Sequence, residues 1–140
     1  MKVYVLMISK KFPKWHRRRG KETGFIDSIL SGKKVHTIRE DYIKWLRRAR
    51  DINRGNAVLS VRYWEGKPYH SKQIEILRLT KIKVQKVIIN YDYIKVNNRH
   101  FLLPRIVAHN DGLKLQDFTE YFKNGYGKEF ALIQFTDFHY

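Results

Sequence analysis

Ile29-Leu30-Ser31-Gly32-Lys33-Lys34-Val35-His36-Thr37-Ile38-Arg39-Glu40 is the stretch on which the reading of this chain turns. A helical pattern runs into a glycine, and an amine (Lys34), a hydroxyl (Thr37) and a guanidinium (Arg39) follow within six residues. Local pattern gives it a structural reading. Gly32 stops the helix, and Lys33 and Lys34 complement its negative end. Thr37-Ile38-Arg39-Glu40 fits a capping box with Thr37 as N-cap of the next helix. The same residues also supply a nucleophile or proton donor, an activator and an anion clamp.

Outward from this stretch the pattern alternates between strand and helix. Lys2 to Ile8 reads as a strand and Lys10 to Lys21 as a basic loop. Phe25, Ile26, Ile29 and Leu30 share a helix face, and Ile43, Leu46, Ala49 and Ile52 form a second stripe. Ala57 to Trp64 is a strand closed by a turn at Glu65-Gly66-Lys67-Pro68. Gln73 to Ile89 is one long strand or a bent pair, and Asn97-Asn98 centres a hairpin. A short helix after Pro104, a turn at Asp111-Gly112, a helix carrying Leu115, Phe118 and Phe122, and a final strand from Lys128 follow. The expectation is an α+β domain spanning residues 1–140, a small mixed β-barrel of five to six strands with flanking helices.

Composition narrows the function classes. No apolar run approaches the ~18 residues of a membrane span, so no membrane partner is expected. There is no cysteine, which excludes disulfides and thiolate chemistry and fits a cytoplasmic protein. No two of the six histidines lie three or four residues apart, so no metal site is expected, and with no P-loop and no dinucleotide fingerprint no other cofactor is expected either. Lys and Arg number 29 against 13 acids, a formal charge of +16. Such an excess favours a polyanionic partner, nucleic acid first. Trp15, Arg17, Arg18 and Arg19 in the basic loop, and Arg62, Trp64 and Lys67 near the turn, interleave aromatics with cations as single-stranded RNA binders do. Since Tyr63 and Trp64 face opposite sides of a strand, at least one is expected in the core.

The octet Gly32 to Arg39 resembles the Gly-x-Lys-x-x-Thr/Glu-x-Arg signature of the ASCH family, small domains related to the RNA-binding PUA barrel. The longer stretch Ile29 to Glu40 is similar to that of the bacterial N(4)-acetylcytidine amidohydrolases, a branch of that family. The resemblance implies a PUA-like fold and catalytic roles for Lys34, Thr37 and a downstream carboxylate. Asp111, ahead of the last helix and strand, matches that carboxylate position. The amidohydrolases carry glutamate there, so this chain departs by one methylene. Gly32, His36 and Arg39 would line the substrate or phosphate site, although alternation turns His36 away from Thr37, toward packing or RNA contact.

Amide hydrolysis needs a nucleophile, a proton shuttle and an oxyanion partner. A lysine serves if burial or nearby positive charge lowers its pKa, and Arg39 would supply such charge. The sequence leaves three outcomes open: an amidohydrolase acting on an N-acylated cytosine, a non-catalytic module binding RNA or a modified nucleoside, and a single-stranded-RNA nuclease using the same pocket.

Overall fold

The computed structural model describes residues 1–140. The elements run β1 (Lys2–Met7), α1 (Phe25–Leu30), β2 (His36–Arg39), α2 (Tyr42–Asn53), β3 (Ala57–Trp64), β4 (Gln73–Leu79), β5 (Lys83–Ile89), β6 (Ile94–Val96), β7 (His100–Leu102), α3 (Pro104–Asn110), α4 (Leu115–Phe122) and β8 (Glu129–Gln134). The class is α+β. The strands form two sheets, ordered β1-β3-β4 and β2-β8-β5-β6-β7. β1 lies parallel to β3 and every other pair is antiparallel.

Eight strands replace the five or six expected, and the ladders leave two open sheets rather than one closed ring. Two features account for the difference. The octet itself supplies a strand, β2, which pairs with β8 in the register Thr37 to Ile133. The run Gln73 to Ile89 is a bent pair whose halves belong to different sheets. At the corner Asn53 holds the Ile82 backbone from both sides, accepting from its N–H and donating to its carbonyl at 2.9 Å each. The Asn97 and Asn98 hairpin appears as expected, with φ of 53° and 61°, the left-handed geometry that asparagine tolerates.

Helix α2 packs against β3 of one sheet and β5 and β8 of the other. Its inward residues are Trp45, Ala49 and Ile52, while Ile43 is exposed. The expected stripe is thus rotated toward Trp45, whose large indole surface gains most from burial. The capping box is also overturned. Thr37 lies inside β2, and Asp41 caps α2 by accepting from the Lys44 N–H at 3.1 Å. A cluster of 26 buried apolar residues draws on both sheets and all four helices. No helix is long and apolar enough to cross a membrane.

Candidate functional site

Two helix ends build the site. Helix α1 stops at Gly32, whose φ is 81°. The Lys34 N–H then bonds back to the Ser28 carbonyl at 3.0 Å, and the chain enters β2. Helix α3 ends at Asp111, and Gly112 follows with φ 80°. Val35 ties the two together, donating to the Asn110 carbonyl at 2.9 Å and accepting from Phe135 at 2.8 Å. Lys34 and Asp111 therefore meet, each held by a short-range turn.

The contact is buried. Lys34 Nζ donates to the Asp111 backbone carbonyl at 2.8 Å and to its carboxylate at 3.1 Å. Their side chains are 1% and 5% exposed, so water contributes little screening. The ammonium also sits 4.1 Å from the centre of the Phe25 ring and at the carbonyl end of α3, where positive charge is favoured. Burial pulls the Lys34 pKa below its ordinary value. Asp111 opposes that shift, and Arg39 adds only the smallest lowering contribution. Burial pushes the Asp111 carboxyl up, but Lys34 and His36 together outweigh it and hold it below its ordinary value.

His36 is fully buried, which rules out the RNA contact considered for it. Its Nδ1 lies 3.1 Å from the Asp111 carboxylate and its Nε2 2.8 Å from the Tyr140 hydroxyl. Asn110 Nδ2 donates to that hydroxyl at 2.9 Å. This leaves the phenol proton for His36 Nε2 and the His36 Nδ1–H for Asp111. Gln85 fixes the backbone of Tyr140, accepting from its N–H at 3.1 Å and donating to its carbonyl at 2.9 Å.

Lys34, Thr37, Arg39 and Asp111 line one cavity of about 60 Å³, with Phe25, Tyr121 and Phe122 among its walls. Arg39 spends part of its fork on the protein, donating to the Met7 carbonyl at 2.8 Å and the Ile38 carbonyl at 3.1 Å. Burial lowers its pKa, yet a guanidinium stays charged. Ile38, Arg39, Tyr121 and Phe122 are shared with a larger outer cleft of about 410 Å³, which Trp15 also lines. Trp15 is 51% exposed and meets Tyr121 edge-on at 5.5 Å.

No family model, curated protein or solved structure matches the chain. Of the expected catalytic set, Lys34, Thr37 and Asp111 share the inner cavity, with Arg39 beside them. Gly32 shapes the approach to Lys34 but is exposed and does not line the cavity. The nucleic-acid set divides. Arg18 pairs with the buried Asp117 at 2.7 Å and Arg17 with the same carboxylate at 3.3 Å. His16 also reaches the Asp117 carbonyl at 3.0 Å, so these residues dock the basic loop onto α4. Arg19 is left exposed. Arg62 donates to Ser60 at 2.8 Å and Gln73 at 3.0 Å. Neither Tyr63 nor Trp64 is core; both are half-buried, because this end of β3 runs past the packed region. Trp64 and Lys67 line a separate cleft.

Tyr121, Tyr140 and Asn110 escaped the sequence reading. Tyr121 adjoins the stripe residue Phe122, a usable signal. Nothing local marks Tyr140, whose partners are distant in sequence.

Proposed function

We propose that this chain is an ASCH-type, PUA-like domain that hydrolyses the amide of an N-acylated cytosine, N(4)-acetylcytidine or the same base within RNA. The observation that carries the reading is the single cavity shared by Lys34, Thr37, Arg39 and Asp111. The α+β class agrees with this reading, and the octet supports the family.

The sizes of the two spaces divide the substrate. The inner cavity of about 60 Å³ suits a small acyl group, and the outer cleft of about 410 Å³ suits a base beside Trp15 and Tyr121. Burial lowers the Lys34 pKa, so the ammonium paired with Asp111 gives up a proton more readily than a free lysine, and in that deprotonated form Lys34 takes the Thr37 proton as the hydroxyl oxygen attacks the amide carbonyl. Arg39 faces the developing oxyanion with the donors not bound to Met7 and Ile38. The C–N bond breaks as Lys34 returns the proton to the departing cytosine nitrogen. Water then cleaves the threonine ester, releasing the carboxylic acid and restoring Thr37. Asp111, held ionised, is a weak base near neutral pH and acts by orienting Lys34.

Acetate release from N(4)-acetylcytidine, free and within an oligonucleotide, tests this reading. Wild-type protein is expected to release acetate, and Lys34→Ala to lose that release. The formal charge of +16 favours a second reading, a non-catalytic RNA-binding module in a cytoplasmic setting. Tight, salt-sensitive RNA binding without turnover is its signature.

A further inference from the structure

The hairpin between β3 and β4 displays an aromatic pair that the cavity does not use. Tyr69 is 85% exposed, and its ring centre lies 5.3 Å from that of Trp64. Its backbone is in the left-handed region, with φ 64°, where a bulky side chain is disfavoured. The turn around it is nonetheless ordered. Gly66 N–H donates to the Ser71 hydroxyl at 3.0 Å, that hydroxyl donates to the Lys67 carbonyl at 2.8 Å, and His70 N–H donates to the same carbonyl at 3.1 Å. The strain thus holds an aromatic ring outward on a fixed support, an arrangement found at functional positions.

The pair borders a cleft of about 950 Å³ that Lys10, Lys11 and Lys67 also line. This cleft adjoins the proposed active site. Ser9 lines both spaces, and Met7, whose carbonyl anchors Arg39, also lines the cleft. Glu22 and Glu65 line it too, so its own charge is nearly balanced. Stacking must supply the local preference, and the charge of the whole chain the long-range attraction.

We infer that this cleft is a second binding site, for single-stranded nucleic acid, with bases stacking on Trp64 and Tyr69 and phosphates met by Lys67 and its neighbours. The exposed Tyr69 ring, tilted 48° to the half-buried Trp64, offers an aromatic face that accepts any base, and duplex DNA or RNA hides the base faces. The inference rests on reading the chain as a nucleic-acid binder, but not on its being a hydrolase. It gives the polymer a path to the cavity, so that the base acted on is presented within a strand.

The test is fluorescence anisotropy with a labelled, unmodified single-stranded oligoribonucleotide of about ten nucleotides. The same length in duplex form and with abasic sites serves as control. Wild-type protein should bind the single strand and prefer it to both controls. Tyr69→Gly should weaken binding about tenfold, the scale of one lost base stack. It should keep or raise the melting temperature, because glycine relieves the positive φ. That pairing separates a lost contact from lost folding. Unchanged affinity in Tyr69→Gly, equal affinity for the abasic strand, or no binding by wild type overturns the inference. Hydrolysis of free N(4)-acetylcytidine, measured alongside, reports on the catalytic reading separately. Tyr69-dependent binding by a protein that releases no acetate keeps the cleft and discards the hydrolase.

Discussion

Lys34 Nζ and the Asp111 carboxylate, 77 residues apart in sequence, lie 3.1 Å from each other in the interior. A buried pair of this kind gains little net stability but is costly to break singly. Lys34→Met should therefore destabilise the fold by about 3–5 kcal/mol, leaving a carboxylate without its counter-charge. Lys34→Met combined with Asp111→Asn should recover part of that loss, since the amide carries no charge. Urea unfolding of the two variants measures the difference. Equal stability of the single and double variants would argue against an ionised Asp111.

Gly112 is close-packed as well as left-handed. A Cβ there would stand 3.1 Å from Lys34 Cβ. Gly112→Ala should lose the ~1–2 kcal/mol of a left-handed alanine and also displace Lys34, lowering acetate release. Gly55, with φ 84° and open space around it, is the control. Gly55→Ala should show a similar backbone cost with acetate release intact.

Acid stability follows from Asp111. Its folded pKa lies below the ordinary 3.8, so the native state holds the proton less tightly than the unfolded chain. The associated stability is present above pH ~4 and is lost as pH falls through the lower folded value. Asp111→Asn should remove that part of the acid transition, as followed by circular dichroism against pH.

Tyr140 acts at the other end of the scale. Burial is the main cause that pushes its phenol from 10.0 to about 12. The neutral form is favoured in the fold, so its contribution is full below pH ~10 and is lost as pH rises through about 12. Tyr140→Phe should lack this alkaline loss. At neutral pH it should cost about 1–3 kcal/mol, since His36 Nε2 and Asn110 Nδ2 lose their shared partner. Thermal unfolding at the two pH values provides the check.

The octet made the local geometry legible because its glycine and alternation act over a few residues. Gly32 stops α1, and the residues after it are extended. The partnership of Lys34 with Asp111 was legible through the family resemblance, since no periodicity links residues 77 apart. The capping-box alternative for Thr37 arises because a strand and an N-cap both favour threonine, and it fails because pairing with Ile133 places Thr37 in a strand. Arg17 and Arg18 looked like free cations until Asp117, from a helix a hundred residues on, appeared beneath them. The division of the strands into two open sheets was the least legible feature. It depends on one corner, where Asn53 redirects the chain between β4 and β5.

Acetate release from N(4)-acetylcytidine by wild-type protein and by Thr37→Val tests the shared cavity most directly. Valine keeps the shape of threonine and removes only the hydroxyl's chemistry. The account predicts release by the wild type and a fall of roughly a thousandfold or more in the variant, the scale of losing a nucleophile, with unfolding stability little changed. Equal release by both proteins, or none by the wild type, would contradict it.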